Sequence, residues 1–267
     1  MKISVIIPSF KPQSYLFACL DSICKQTFPL ENFEVIIVLN GCCEPYDSNI
    51  KKYLLQHPYV QWRYLQTDTA GVSNARNIAL DAAIGKSVAF IDDDDYVSPA
   101  YLEELFKASN DGESVSLSYP YAFVDGTDIQ QAYILTKSFD KYHHTDGIRP
   151  LKVRQFFNGP CMKLIPMKFI RERRFDIRFT KGEDSLFMFL ISDRIKQCRF
   201  TSKNAIYYRR RRDGSAYFSR RKFHGAAMDA ARRIYTYCRY YFHNPSGYDF
   251  LFFISRIIGT IKGTFTK

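Results

Sequence analysis

The chain has 267 residues, 46% hydrophobic and 16% aromatic, which is enough apolar material for one large core and rules out general disorder. Its formal net charge of +11 is unevenly spread: from Arg194 to Lys267 there are 17 Lys and Arg against only Asp213, Asp229 and Asp249, a balance of +14, while the first 193 residues carry −3. No run reaches the ~18 uninterrupted apolar residues of a membrane span, and the opening "MKISVIIPSF" is too short and too weakly charged for a signal peptide, so a cytoplasmic protein is expected.

Taken in chain order, "KISVIIPSF" is an apolar β-branched run that reads as a buried strand. "QSYLFACLDSICKQ" spaces Leu16, Cys19, Leu20 and Ile23 for an amphipathic helix, with Ser14 as its expected N-cap. "FEVIIVLNG" is a second buried strand ending at Asn40-Gly41, followed by a helical "PYDSNIKKYLLQH" and a strand-like "VQWRYLQ". "GVSNARNIALDAAIGK" is a helix with Gly85 as its expected stop. "KSVAFI" is a fourth strand, and "SPAYLEELFKAS" restarts a helix with Ser98 expected to cap it. Further on, "ESVSLSYPYAFVDG", "QQAYILT" and "NGPCMKLIP" look like strands. This alternation predicts an α/β fold, with a Rossmann-like, mostly parallel sheet flanked by helices.

In such sheets ligands bind beyond the carboxyl ends of the strands. Pro8-Ser9-Phe10, Asn40-Gly41 and four consecutive aspartates, Asp92 to Asp95, all fall there. Crowded carboxylates repel and raise one another's pKa, so the tetrad calls for a cation. With no His or Cys beside them, these are hard oxygen ligands suited to Mg²⁺ or Mn²⁺, which completes its shell with water and substrate phosphate. Arg76, on the helix that leads into the aspartate-bearing strand, adds a fork suited to phosphate. A solvated acidic turn is the plain alternative for the tetrad.

Seven cysteines, at positions 19, 24, 42, 43, 161, 198 and 238, form no CxxC pair, so buried thiols in a reducing compartment are expected. His143-His144 are adjacent, and adjacent histidines are expected to point apart rather than chelate one ion. An acceptor-side loop is the better reading there.

Together "SVIIPSFK", "CLDSICKQTF", "FEVIIVLNG", "GVSNARNIALDAAIGK", "AFIDDDDYVSP" and "KGEDSLFMFLI" resemble a family 2 inverting glycosyltransferase with a GT-A fold, of the bacterial cell-surface polysaccharide type. The resemblance covers residues 3 to about 215. It implies that Asp92, Asp93 and Asp94 form the DXD motif, with Asp94 on the metal and Asp92 facing the metal or the ribose; Asp95 would be structural. It implies that Pro8, Ser9 and Phe10 line the nucleoside, with Phe10 against the base, and that Arg76 lies near the pyrophosphate. Where the family carries an aspartate pair that reads the base, this chain has Leu39-Asn40. Asn40 retains a donor and an acceptor, and a UDP-sugar is the favoured donor.

Inverting transfer needs a base on the acceptor hydroxyl and stabilisation of the departing diphosphate. Glu183-Asp184 start an apolar helix, where a plain N-cap is the alternative reading. The resemblance makes this pair the acceptor-side motif, with Asp184 as base and Glu183 orienting it or contacting the acceptor; the reverse assignment stands open. It also implies that one or more of Arg209 to Arg212, Arg210 first, and Ser215 close over the diphosphate.

The expected organisation is a nucleotide-sugar-binding half over 1–110, an acceptor-binding half over 111–215 and basic amphipathic helices over 216–267. The Arg- and aromatic-rich tail suits peripheral contact with anionic membrane, packing on the body, or single-stranded nucleic acid, the last not expected. The acceptor would be a glycan, lipid-linked and at the inner face of the membrane. Two other classes remain: a nucleotidyltransferase, whose triphosphate-binding loop is not found, and a non-catalytic nucleic-acid-binding protein, which leaves both acidic motifs unexplained.

Overall fold

A computed structural model describes residues 1–127, 130–211 and 223–265. Its strands begin with β1 (Ile3–Ser9), β2 (Phe33–Asn40), β3 (Trp62–Thr67), β4 (Ser87–Phe90) and β5 (Tyr96–Val97). They continue with β6 (Val115–Leu117), β7 (Tyr119–Val124), β8 (Lys163–Pro166), β9 (Cys198–Phe200) and β10 (Ile206–Arg211). The helices of the first half are α1 (Ser14–Cys24), α2 (Tyr46–Gln56), α3 (Val72–Ala82) and α4 (Tyr101–Ala108). Then follow α5 (Ile134–Tyr142), the short α6 (Met167–Ile170), α7 (Glu183–Leu190), α8 (Phe223–His243) and α9 (Phe250–Phe265).

The main sheet has the order β3-β2-β1-β4-β8-β6-β9. Its strands are parallel except β8, which runs antiparallel to both β4 and β6. Every residue of β1, β2 and β4 is buried, as expected of parallel strands covered on both faces. The register pairs Ser9 with Leu39 and Asn40 with Thr67, while β4 ends at Phe90 opposite Ile6. The loops after β1, β2 and β4 therefore leave one edge of the sheet together. A smaller sheet, β5-β10-β7, stands beside that edge, with β10 antiparallel to β5 and parallel to β7.

Several local expectations are corrected. Gln13, not Ser14, holds the cap position of α1, and no side chain caps it. Ser98 does not cap α4, which starts at Tyr101; its hydroxyl donates to Asn204 O at 2.6 Å and accepts from Ile206 N at 2.8 Å, fastening β5 to β10. Helix α3 stops at Ala82, before Gly85. Gly85 is instead required by close approach, since a Cβ there would lie 2.4 Å from Ser4 N. The segment "QQAYILT" is no strand: it leads into α5, and only Gln130 makes an isolated bridge, to Phe123. Of the seven free cysteines only Cys19 and Cys198 are buried, and Cys43 is exposed. His143 and His144 do not point apart; their ring centroids lie 3.6 Å from each other.

The tail packs on the body through one face. Phe189 of α7 stacks on Tyr248 and meets Tyr237 of α8 and Phe252 of α9 edge-on or tilted, and all four are buried. Each such aromatic contributes ~1.5–3 kcal/mol by leaving water. The other face leaves Phe242, Phe250 and Leu251 at 56–70% exposure. Among the described residues no helix is long and apolar enough to cross a membrane.

Candidate active site

The end of β4 runs directly into the four aspartates, and the backbone there is held from three sides. Asp92 N–H donates to the Tyr207 hydroxyl at 3.1 Å, and Asp95 N–H donates to Asp92 O. Asp95 is the buried member of the four, and its carboxylate accepts from Arg210 N–H at 2.8 Å. Burial, then the neighbouring Asp94 and Asp92, push its carboxyl well above the ordinary aspartate range. It is a structural post, while Asp92, Asp93 and Asp94 remain partly exposed.

The loop after β1 is tied to them. The Ser9 hydroxyl, itself buried, donates to Asp93 Oδ2 at 2.7 Å. Pro8 is buried within β1, whereas Phe10 is 48% exposed. Asn40 presents no open edge: it is buried, its Nδ2 donates to Ser9 O at 2.6 Å and its Oδ1 accepts from Gly71 N–H at 2.9 Å. It thus joins the loops after β1, β2 and β3. Next to it Gly41 has φ +62°, and a Cβ there would lie 2.3 Å from that of Ala70, so this junction requires glycine.

Arg76 is held by carboxylates on both sides of the site. It sits inside α3 at 3% exposure, with its guanidinium 5.4 Å from the Phe175 ring centre. Its Nη1 donates to Asp184 Oδ1 at 2.6 Å and its Nη2 to Asp92 Oδ1 at 2.9 Å. One buried cation therefore joins the aspartate motif to the Glu183-Asp184 pair. Burial works against its charge, but Asp184 and then Asp92 outweigh that and hold it protonated.

Glu183 and Asp184 open α7, after Gly182 in the left-handed region at φ +80°. The Asp184 carboxyl is raised by burial, a shift that Arg76 opposes and Asp92 reinforces. Glu183 is buried, its Oε2 lacks a hydrogen-bond partner, and burial, then Asp184, push its carboxyl up to about 6. Asp184 and Asp92 face a common cleft of about 340 Å³ whose other walls include Tyr133, Asn158, Gly159 and Arg209.

One contributor to this cleft, Lys163, was missed in the sequence, and another, Arg209, was named only as one of a run of four. Arg209 donates to the Tyr133 hydroxyl at 2.8 Å, within the basic run assigned only generically. Lys163 is 1% exposed and donates to Gly159 O and Cys161 O at 2.6 and 2.5 Å, bracing the cleft wall. Burial pulls its pKa down to about 8. A lone lysine inside the apolar "CMKLIP" was the available signal. Arg210, the expected diphosphate clamp, donates through Nε to Asp94 O at 3.0 Å and pairs with Asp125. Arg212 and Ser215 lie outside the described residues.

The donor set suits a hard divalent ion. Asp92, Asp93 and Asp94 offer oxygen only, side by side at the end of β4 and partly exposed. Among the described residues no three His, Cys, Asp or Glu converge on one point, so such an ion would need oxygens from elsewhere.

Comparison with known proteins finds similar sequences and a similar fold. Glycosyltransferase GlyA of Streptococcus pneumoniae is 27% identical over 86% of this chain and 33% of its own length. The poly(ribitol-phosphate) beta-N-acetylglucosaminyltransferase TarS of Staphylococcus aureus is 26% identical over 84% of the chain and 39% of its own length. The chain thus spans about a third to two fifths of these relatives. A crystal structure of TarS 1-349 in complex with UDP-GlcNAc superposes with a TM-score of 0.69 at 23% identity, covering 88% of this chain and 66% of that one. The mannosyltransferase PcManGT of Pyrobaculum calidifontis, in complex with GDP-Man and Mn²⁺, gives 0.58 at 15% identity, covering 89% and 63%. These neighbours share the GT-A arrangement of the main sheet. The family described as Glycosyl transferase family 2 matches residues 4–174, and the chain belongs to it.

Proposed function

We propose that this chain is an inverting glycosyltransferase that moves a sugar from a UDP-sugar to a glycan acceptor in surface-polysaccharide synthesis. The observation that carries the reading is Arg76, which binds Asp92 on the donor side and Asp184 on the acceptor side at once. Family membership and the similarity to TarS, whose structure holds UDP-GlcNAc, support the reaction class and the donor.

In this reading residues 1–110 bind the nucleotide-sugar, 111–215 bind the acceptor and 216–267 are the basic amphipathic C-terminal part, whose helices α8 and α9 pack on the body. Ser9 and Asn40 set the loops around the nucleoside, and exposed Phe10 supplies a ring for the base. Asp92 and Asp94 would hold Mn²⁺ or Mg²⁺, which supplies charge neutralisation to the departing diphosphate. Asp184 accepts the proton of the acceptor hydroxyl, and its raised pKa gives it more basicity than an ordinary surface carboxylate. Arg76 holds that carboxylate in one orientation, and Glu183 stands behind it. Arg210 orders the backbone of Asp94.

The exposed apolar face of α8 and α9 supports peripheral contact with anionic lipid, hence a cytoplasmic protein at the inner membrane face acting on a lipid-linked acceptor. The test of the donor site is calorimetric titration with UDP, with GDP and CMP as controls, with and without Mn²⁺. UDP binding that needs the metal and disappears in Asp94→Asn is the expected result. No nucleotide binding under any condition would remove the donor site and the reading with it.

A further inference from the structure

Behind Asp184 the structure holds a second polar cavity, of about 310 Å³, between α7, α8, α9 and residues 154–158. Arg154, Arg233 and Arg256 line it together with Gln155, Asn158 and Ser185, and no Asp or Glu does. Among the described residues none of the three arginines forms an ion pair. Arg256 is buried and Arg233 half-buried, with Glu183 near enough to feel the charge of Arg233, while Arg154 is exposed. The wall keeps a positive surplus that centres on Arg256, and a buried charge without a counter-charge favours an anion.

Arg256 is the most telling of them. It is 8% exposed, its Nη1 donates to Asn158 Oδ1 at 2.6 Å and its Nη2 to Arg154 O at 2.7 Å. Its Nε has no partner, and neither do Arg233 Nε or Gln155 Oε1. Arg256 thus spends two donors on neutral oxygens and keeps a third unsatisfied within the cavity wall. Burial pulls its pKa down to about 10, so it still carries its charge at neutral pH.

The cavity is joined to the proposed reaction site. Gln155 and Asn158 also line the cleft that contains Asp92 and Asp184, and Ser185 follows Asp184 directly. Arg233 Nη1 lies against Gly182, where a Cβ would come within 2.4 Å of it. An anion bound here would sit beside the acceptor's space and not on the aspartate motif. Planar guanidinium forks suit both carboxylate and phosphate, but a tetrahedral phosphate can accept from donors arriving in several directions, which suits three arginines on one wall better than a planar carboxylate does.

We infer that this arginine-lined cavity is a subsite for a phosphate group carried by the acceptor, an inference that rests on the glycosyl-transfer reading. The acceptor class is then a phosphate-bearing glycan or polyol chain, positioned through its phosphate so that its hydroxyl meets Asp184.

The test titrates inorganic phosphate and, separately, a glycerol phosphodiester oligomer into protein saturated with UDP and Mn²⁺, followed by calorimetry and ³¹P NMR. Both are expected to bind in the presence of UDP, and Arg233→Gln should weaken both at least tenfold with UDP affinity unchanged. Arg233 is half-buried at the cavity wall, so this variant is expected to fold even if Arg256→Gln does not; a thermal melt verifies it. Binding unaffected by Arg233→Gln, or phosphate displaced by UDP, overturns the inference. Binding of inorganic phosphate without the oligomer overturns the acceptor assignment and leaves a free-anion site. Failure of UDP itself to bind, with the phosphate response intact, would instead sink the glycosyl-transfer reading.

Discussion

Arg76 Nη1 lies 2.6 Å from Asp184 Oδ1, an ion pair between residues 108 positions apart that closes the site from within. Because the same guanidinium also holds Asp92, it fixes the spacing between the donor and acceptor carboxylates. Arg76 is buried but Asp92 and Asp184 are partly exposed, so removing it should cost less than the about 3–5 kcal/mol of breaking a fully buried pair. Arg76→Gln should therefore lower the denaturant midpoint, whereas Arg76→Lys keeps the charge but loses the fork. For Arg76→Lys we expect kcat to fall about 10²-fold with donor KM little changed, because misplacing a positioned base costs on that scale. The opposite pattern, weakened UDP binding with kcat retained, would put Arg76 on the diphosphate.

Glu183 offers a pH signature. Its carboxyl is pushed from 4.5 up to about 6, by burial first and then by Asp184, so the folded protein binds that proton more tightly than the unfolded chain. Its contribution to stability is present below pH 4.5 and is lost as pH rises through about 6. Glu183→Gln, which cannot ionise, should match wild type near pH 4.5 and be the more stable protein at pH 7.5, by on the order of 1–2 kcal/mol. Thermal melts at the two pH values read this directly, and a constant difference between them contradicts it. In turnover, Asp184→Asn should lose roughly 10²–10⁴-fold and Glu183→Gln less, if Asp184 is the base.

The two kinds of structural feature differed sharply in how well the sequence revealed them. The runs "ISVIIPS" and "FEVIIVLN" are apolar without alternation, which is the pattern of parallel strands buried on both faces, and both became central strands. The loops that follow them converge because parallel strands end on one side, so Ser9, Asn40 and the aspartates were placed correctly by topology alone. What failed depended on partners far along the chain. Ser98 reads as a cap until Asn204 and Ile206 claim its hydroxyl. Arg76 reads as a fork for phosphate, and its bonds to Asp184 and Asp92 show only once both are folded onto it. "QQAYILT" has β-like composition, yet its second half lies in α5 and packs there: Leu135 is buried, and Thr136 bonds Pro120 O. The arginine-lined cavity is assembled from residues 154–158 and from helices more than 25 residues further on, and nothing local marks it.

The exposed side of the tail carries the last expectation. On α9, Phe252, Phe253, Arg256 and Thr260 face the protein, while Phe250, Leu251, Ile258 and Ile261 are 44–62% exposed. Phe242 at the end of α8 adds a further ring at 70% exposure, and Tyr241 lies 6.0 Å from Phe250, so the apolar surface is continuous across the turn between the helices. Apolar surface of this kind beside a strongly basic segment matches an interfacial anchor, in which burial of rings and attraction to anionic headgroups act together. Phosphatidylglycerol vesicles should therefore co-sediment the protein at low salt, phosphatidylcholine vesicles should retain much less, and added salt should weaken the binding. Phe250→Asp with Leu251→Asp should abolish sedimentation while leaving the melting temperature near that of wild type, because neither side chain belongs to the packed face. Equal sedimentation with neutral and anionic vesicles would remove the electrostatic half of the argument, and no sedimentation with either would leave these helices as packing elements of the body alone.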